Sequence, residues 1–104
     1  MSSIEPLVAE IKQATEYQVN KRILKEKIQT DLHLAYNGGM FKITPSLLSF
    51  VQTWPMDFLY IEDVYENPIE VERQVFLVQA QQHYHKVMNT WHQQHAELKR
   101  IRRV

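Results

Sequence analysis

Residues 72–103 read ERQVFLVQAQQHYHKVMNTWHQQHAELKRIRR, thirty-two residues without a glycine or a proline. Phe76, Leu77, Ala80, Tyr84, Val87, Met88, Trp91, Leu98 and Ile101 recur in it at steps of three and four. That spacing places one apolar stripe along a long helix. A stripe of this length has to be covered, and the rest of the chain can be read for what covers it.

Immediately upstream, Asp57 to Glu62 alternates Phe58 and Tyr60 with Leu59 and Ile61. Apolar residues at both parities predict a strand covered on both faces. The turn residues Glu66-Asn67-Pro68 follow, and Ile69 and Val71 alternate with Glu70 and Glu72. A spacing of two predicts a short return strand. The rival reading takes Asn67 as a helix N-cap, with Pro68 as the first helical residue. Further back, Thr44-Pro45 is a helix start, and Leu47, Leu48, Phe50, Val51 and Trp54 make a short apolar helix that Pro55 ends. A helix this short and apolar is expected to plug the core. The Trp54 indole N–H needs a partner, which places that ring at the core's edge.

Both glycines of the chain lie in Asn37-Gly38-Gly39. Asn-Gly favours a type I′ turn, whose two central residues need positive φ, so a hairpin is predicted from Leu32 to Thr44. A glycine loop cradling phosphate is the alternative, but the Gly spacing and the following Lys-Ser/Thr are absent. Before the hairpin, Ser2 and Glu5 fit a capping box with Pro6 in the first turn. A helix to about Asp31 is predicted. Its stripe runs through Ile4, Leu7, Val8, Ile11, Ala14, Tyr17, Leu24 and Ile28, widened by Val19 and Ile23.

The predicted fold is therefore α+β, in the order α-β-β-α-β-β-α, over a single domain of residues 1–104. Two long helices and a short central helix pack with two β-hairpins. Charge suggests how the long helices run. Residues 57–72 hold six acids and no base, and residues 73–104 hold six bases and one acid. An antiparallel pair sets the basic tail near Glu5 and Glu10, and the block Lys21–Lys27 near the acidic segment. A parallel pair would oppose base to base.

Composition narrows the function classes. Apolar residues are 44% and charged residues 23%, a globular balance. Twelve bases cancel twelve acids, so no net field draws the chain to nucleic acid or an anionic membrane. The absence of cysteine excludes a disulfide scaffold, a thiol nucleophile and thiolate metal ligation. MSSIEPLVAE lacks a signal-peptide pattern, and no run approaches the roughly 20 apolar residues of a membrane span. A soluble, cytoplasmic protein with no membrane partner is expected.

No catalytic constellation, cofactor motif or metal site emerges. Four of the five histidines, His83, His85, His92 and His95, lie on the last helix. No two have the i, i+4 spacing of the helical zinc motif. His85 and His92 share a face with His95 near it, and protonation near pH 6 would charge that surface. Glu62, Asp63, Glu66, Glu70 and Glu72 read as a solvated acidic surface, and Ser46 and Ser49 lack a base. Lys99, Arg100, Arg102 and Arg103 form a basic tip able to touch phosphate, without the interleaved aromatics that a nucleic-acid surface favours.

Two stretches, NKRILKEKIQTDLHLAYNGGMFKIT at 20–44 and NPIEV with HYHKVMNTWHQQHAELKR at 67–100, resemble a small uncharacterised protein carried by contractile-tailed phages of marine cyanobacteria. The resemblance spans most of the chain and implies no activity. It implies a virus-encoded protein made in a bacterial cytoplasm, serving particle assembly or host takeover, with a viral or host protein partner.

The chain thus reads as a non-catalytic structural or interaction protein. The apolar stripe exceeds what a small sheet covers, which predicts a homo-oligomer, a dimer first. Trp91, Met88, Tyr84 and Leu98 are the interaction candidates. The alternative is a nucleic-acid-associated accessory protein using Lys21–Lys27 and the basic tip.

Overall fold

A computed structural model describes the backbone of residues 5–102 and the side chains of residues 12–101. The elements are α1 (Glu5–Asp31), β1 (His33–Tyr36), β2 (Gly39–Lys42), α2 (Pro45–Thr53), β3 (Phe58–Glu62), β4 (Pro68–Glu72) and α3 (Arg73–Arg102). The order and the α+β class are those read from the sequence. The capping box at Ser2 and the upper stripe, Ile4 to Ile11, lie outside the residues whose side chains are described.

The molecule is a head on a stalk, 71 × 23 × 19 Å overall. In the stalk, α1 and α3 pack antiparallel. The Asp31 carbonyl, at the end of α1, meets His83 Nε2 at 2.7 Å, while Tyr17 lies beside Leu98 and Ile101. Leu24, Ile28 and Leu32 of the α1 side are buried against Val87, with Tyr84, Met88, Trp91 and Leu98 closing over them. Ala14, Val19 and Ile23 are exposed, so the α1 stripe is narrower than its sequence suggests. The predicted direction holds, but its predicted cause does not. Lys21, Arg22 and Lys25 lie beside Met88, Trp91, His92 and His95 of α3 rather than beside the acidic segment. The ion pair described is local, Glu97 with Arg100 within one turn of α3.

In the head, each hairpin is a separate two-stranded antiparallel sheet. In the first, Leu34 pairs with Phe41 and Tyr36 with Gly39. Asn37 (φ 48°) and Gly38 (φ 82°) turn the chain between them. Both values are positive, as a type I′ turn requires. In the second, Leu59 pairs with Val71 and Ile61 with Ile69, which makes 69–71 a strand rather than a helix start. The Arg73 N–H donates to the Asp57 carbonyl at 2.8 Å, so α3 begins directly where β4 ends.

The head core joins Phe41, Ile43, Val51, Leu59 and Val71 to Phe76, Leu77 and Ala80 of α3. The stripe on α3 therefore serves two cores in succession, and Tyr84 packs on both. Thr44 caps α2 by accepting from the Leu47 N–H at 3.1 Å. The helix lies over the core rather than plugging it. Val51 is buried, while Phe50 is largely exposed and leans on Trp54. The Trp54 indole N–H donates to the Phe58 carbonyl at 3.3 Å, the partner its edge position called for.

Gly38 has open space where a Cβ would stand, but its φ is one that β-branched residues strongly resist. Gly38→Val should destabilise by about 1–3 kcal/mol through backbone strain alone. A melting temperature within about 1 °C of wild type would rule out the turn as drawn.

Candidate interaction surfaces

The residues singled out on α3 are mostly spent on internal packing. Tyr84, Met88, Trp91 and Leu98 are all half-buried against α1, and Val87 is buried. Ile101 alone among the lower stripe is largely exposed. The stripe is less open than its length suggests, because α1 lies along much of it, but Met88 and Trp91 remain accessible from one side. The basic tip is only partly free. Arg100 is held by Glu97, which raises the guanidinium pKa, chiefly through that hydrogen bond. Lys99 is exposed, and the side chains of Arg102 and Arg103 lie outside those described.

Two other surfaces are assembled by the fold. The first is a groove of about 550 Å³ on one side of the stalk seam. Lys21 with Arg22 beside it, and Lys25 one turn further along α1, form one wall. Met88 and Trp91 give it an apolar floor, with His92 and His95 on the far side. Among the described residues, no carboxylate lines it. His85, on one face of α3 with His92, meets Asn89 at 3.2 Å, and His92 and His95 share the groove. His83 is held at the Asp31 carbonyl. Among the described residues, no three His, Asp or Glu side chains are grouped to hold a metal ion. The aromatic-and-base juxtaposition missing from the linear tail is created here by packing α1 on α3.

The second surface is the outer face of the β3–β4 hairpin. Leu59 and Val71 point inward, so Phe58 and Tyr60 point out, at 58% and 71% exposure. The expected two-sided cover of this strand is not seen, because among the described residues the head has one core and no layer beyond the sheet. In the register, Phe58 opposes Glu72, Tyr60 opposes Glu70, and Glu62 opposes Pro68. Each ring is thus paired with a carboxylate. Tyr36 and Asn37 of the first hairpin border the same face, in a notch with Phe58, Glu70 and Glu72. The adjoining base, Arg73, is half-buried.

Asp63 belongs to the acidic run but not to this face. It is 6% exposed. Its Oδ1 accepts from the N–H groups of Tyr65 and Asn67, and its Oδ2 from the Met40 N–H in the other hairpin. The Val64 N–H donates in turn to the Met40 carbonyl. These donors, Asn67 first, hold the Asp63 carboxyl below the ordinary carboxylate range. The reading of Asp63 as part of a solvated surface is therefore corrected. It is a structural link between the hairpins.

The sequence matches no family model, and neither the curated proteins nor the solved structures contain a match. No helix among the described residues is long and apolar enough to cross a membrane.

Proposed function

We propose that this chain is a non-catalytic interaction protein that self-associates, a phage accessory or assembly protein in the setting that its resemblance implies. The observation that carries this reading is the solvent-facing pair Phe58 and Tyr60 on the hairpin face, with Met56 and Tyr65 also largely exposed. Large side chains clustered in solvent are a common mark of an interface. A small head that exposes them loses apolar burial it can ill spare at this chain length. Two-fold pairing is the commonest way for one gene product to cover such a face.

Sedimentation at micromolar concentrations tests the reading. A species at twice the 12.5 kDa of the chain is expected, with its fraction rising with concentration. A single 12.5 kDa species up to about 100 μM would reject self-association.

The second reading is nucleic-acid association, and the groove gives it an observation of its own. Trp91 beside Lys21, Arg22 and Lys25 offers a stacking ring with phosphate-binding charge. Binding of this kind weakens steeply with salt, whereas apolar association does not. Quenching of Trp91 by a single-stranded oligonucleotide, lost at high salt and in Lys21→Glu/Lys25→Glu, supports it. Unchanged fluorescence at low salt would dismiss it.

A further inference from the structure

We infer that the acidic, aromatic face of the β3–β4 hairpin docks into the basic stalk groove of a second copy of this chain. The inference rests on the self-association proposed above and specifies which surfaces meet.

The two surfaces are complementary in both charge and texture. The hairpin face presents Phe58 and Tyr60 with Glu62, Glu70 and Glu72 around them, all exposed. The groove presents Lys21, Arg22 and Lys25, also exposed, beside the apolar floor of Met88 and Trp91. Among the described residues no acid lines the groove, and no base lies within residues 57–72. Among the described residues, neither set of charges meets an ion-pair partner in its own chain. The ion pair described joins Glu97 to Arg100 instead.

The two surfaces cannot satisfy each other inside one molecule. Trp91 stands eighteen residues along a continuous helix from Arg73, where the head begins. At the helical rise that is about 27 Å. A second copy removes the obstacle. Lying antiparallel, each head reaches its partner's groove, and the exchange is reciprocal, so one pairing fills both grooves. Rings entering an apolar floor supply burial, and the flanking charges set register and speed encounter. Like-charged alignments, head on head or groove on groove, are disfavoured. A neutral chain with charge separated along its length is suited to this pairing, since no net repulsion opposes it.

Two charge-reversed chains test the inference. Glu70→Lys/Glu72→Lys inverts the hairpin face, and Lys21→Glu/Lys25→Glu inverts the groove. All four positions are exposed, so both variants should fold, which circular dichroism and the melting temperature verify. Each variant alone should self-associate at least tenfold more weakly than wild type. Mixed in equal amounts, they should re-form a mixed dimer, because each inverted surface meets its complement. Wild type that dimerises while both variants dimerise equally well would overturn the inference and leave self-association through another surface standing. Wild type that stays monomeric would overturn both. Loss in each variant without rescue in the mixture would also overturn it, since it would show general damage rather than paired surfaces. An oligonucleotide whose binding depends on Lys21 and Lys25 and yet does not compete with dimerisation would likewise exclude the groove as the site of docking.

Discussion

Phe76→Ala should cost about 3–5 kcal/mol, enough to unfold a large fraction of a domain of ordinary stability. Phe76 is 0% exposed and lies on the first turn of α3, where both hairpins converge. Its ring meets Tyr36 edge-on at 5.1 Å and Phe41 at 5.2 Å between centroids. Truncation would remove the transfer free energy of the ring, both aromatic contacts, and the surface that holds α3 to the head. The cavity would be lined by two strands of one hairpin and one helix, so it could not close without separating them. Phe58→Ala provides the control. Its side chain is mostly in solvent, and its loss should change stability by no more than about 0.5 kcal/mol. Urea unfolding followed by tryptophan fluorescence reads both. A Phe76→Ala penalty below about 1 kcal/mol would show that the head does not close around this ring.

Asp63→Ala should be the most damaging of the carboxylate substitutions. It would leave the N–H groups of Met40, Tyr65 and Asn67 without their acceptor and would release one hairpin from the other. Asp63→Asn keeps one oxygen but turns an amide NH2 toward a donor, so it should recover only part of the loss. Glu62→Ala, one residue away and solvent-facing, should be nearly silent. The effect carries a pH signature with a defined sign. The folded carboxyl titrates below its ordinary value of 3.8, because the donors favour its charged form. Its contribution is therefore complete above that value and is lost as pH falls through the lower folded value. The stability gap between wild type and Asp63→Asn should be constant from about pH 7 to pH 5 and should shrink at lower pH. A gap that widens on acidification would contradict the assignment.

The order of elements followed from local chemistry that needs no partner. Asn37-Gly38 sets positive φ, Thr44-Pro45 starts a helix, and the uninterrupted run after Glu72 can only propagate one. The two-residue turn fixes the register of the first hairpin, and the alternation of Ile69 and Val71 marks β4 as a strand and sets which of its faces is buried, its register with β3 being decided by the fold. Gly39 shows where such reading stops. Its φ is unremarkable, but a Cβ there would stand 2.7 Å from Ile69 Cγ1, a neighbour thirty residues away. Asp63 is the same case in a charged residue. Its three donors come from its own turn and from Met40, and only the second connection makes it a link.

The candidate surfaces divide in the same way. The basic block on α1 and the acidic run before α3 were visible as composition. Which apolar residues remained uncovered was not, because periodicity reports a stripe but not the length of helix laid against it. Most of the α3 stripe is covered by α1 and the head, leaving Ile101 exposed and Met88 and Trp91 open to the groove, while Phe58 and Tyr60, on a strand read as enclosed, face solvent. The groove likewise exists only because Lys21 and Lys25 of one helix are brought beside Trp91 of another, across about two-thirds of the chain. The sequence by itself determined the elements and the position of each charge, through interactions a few residues long. The tertiary structure decided which faces were buried and which charges shared a surface, because both depend on contacts between residues far apart in the chain.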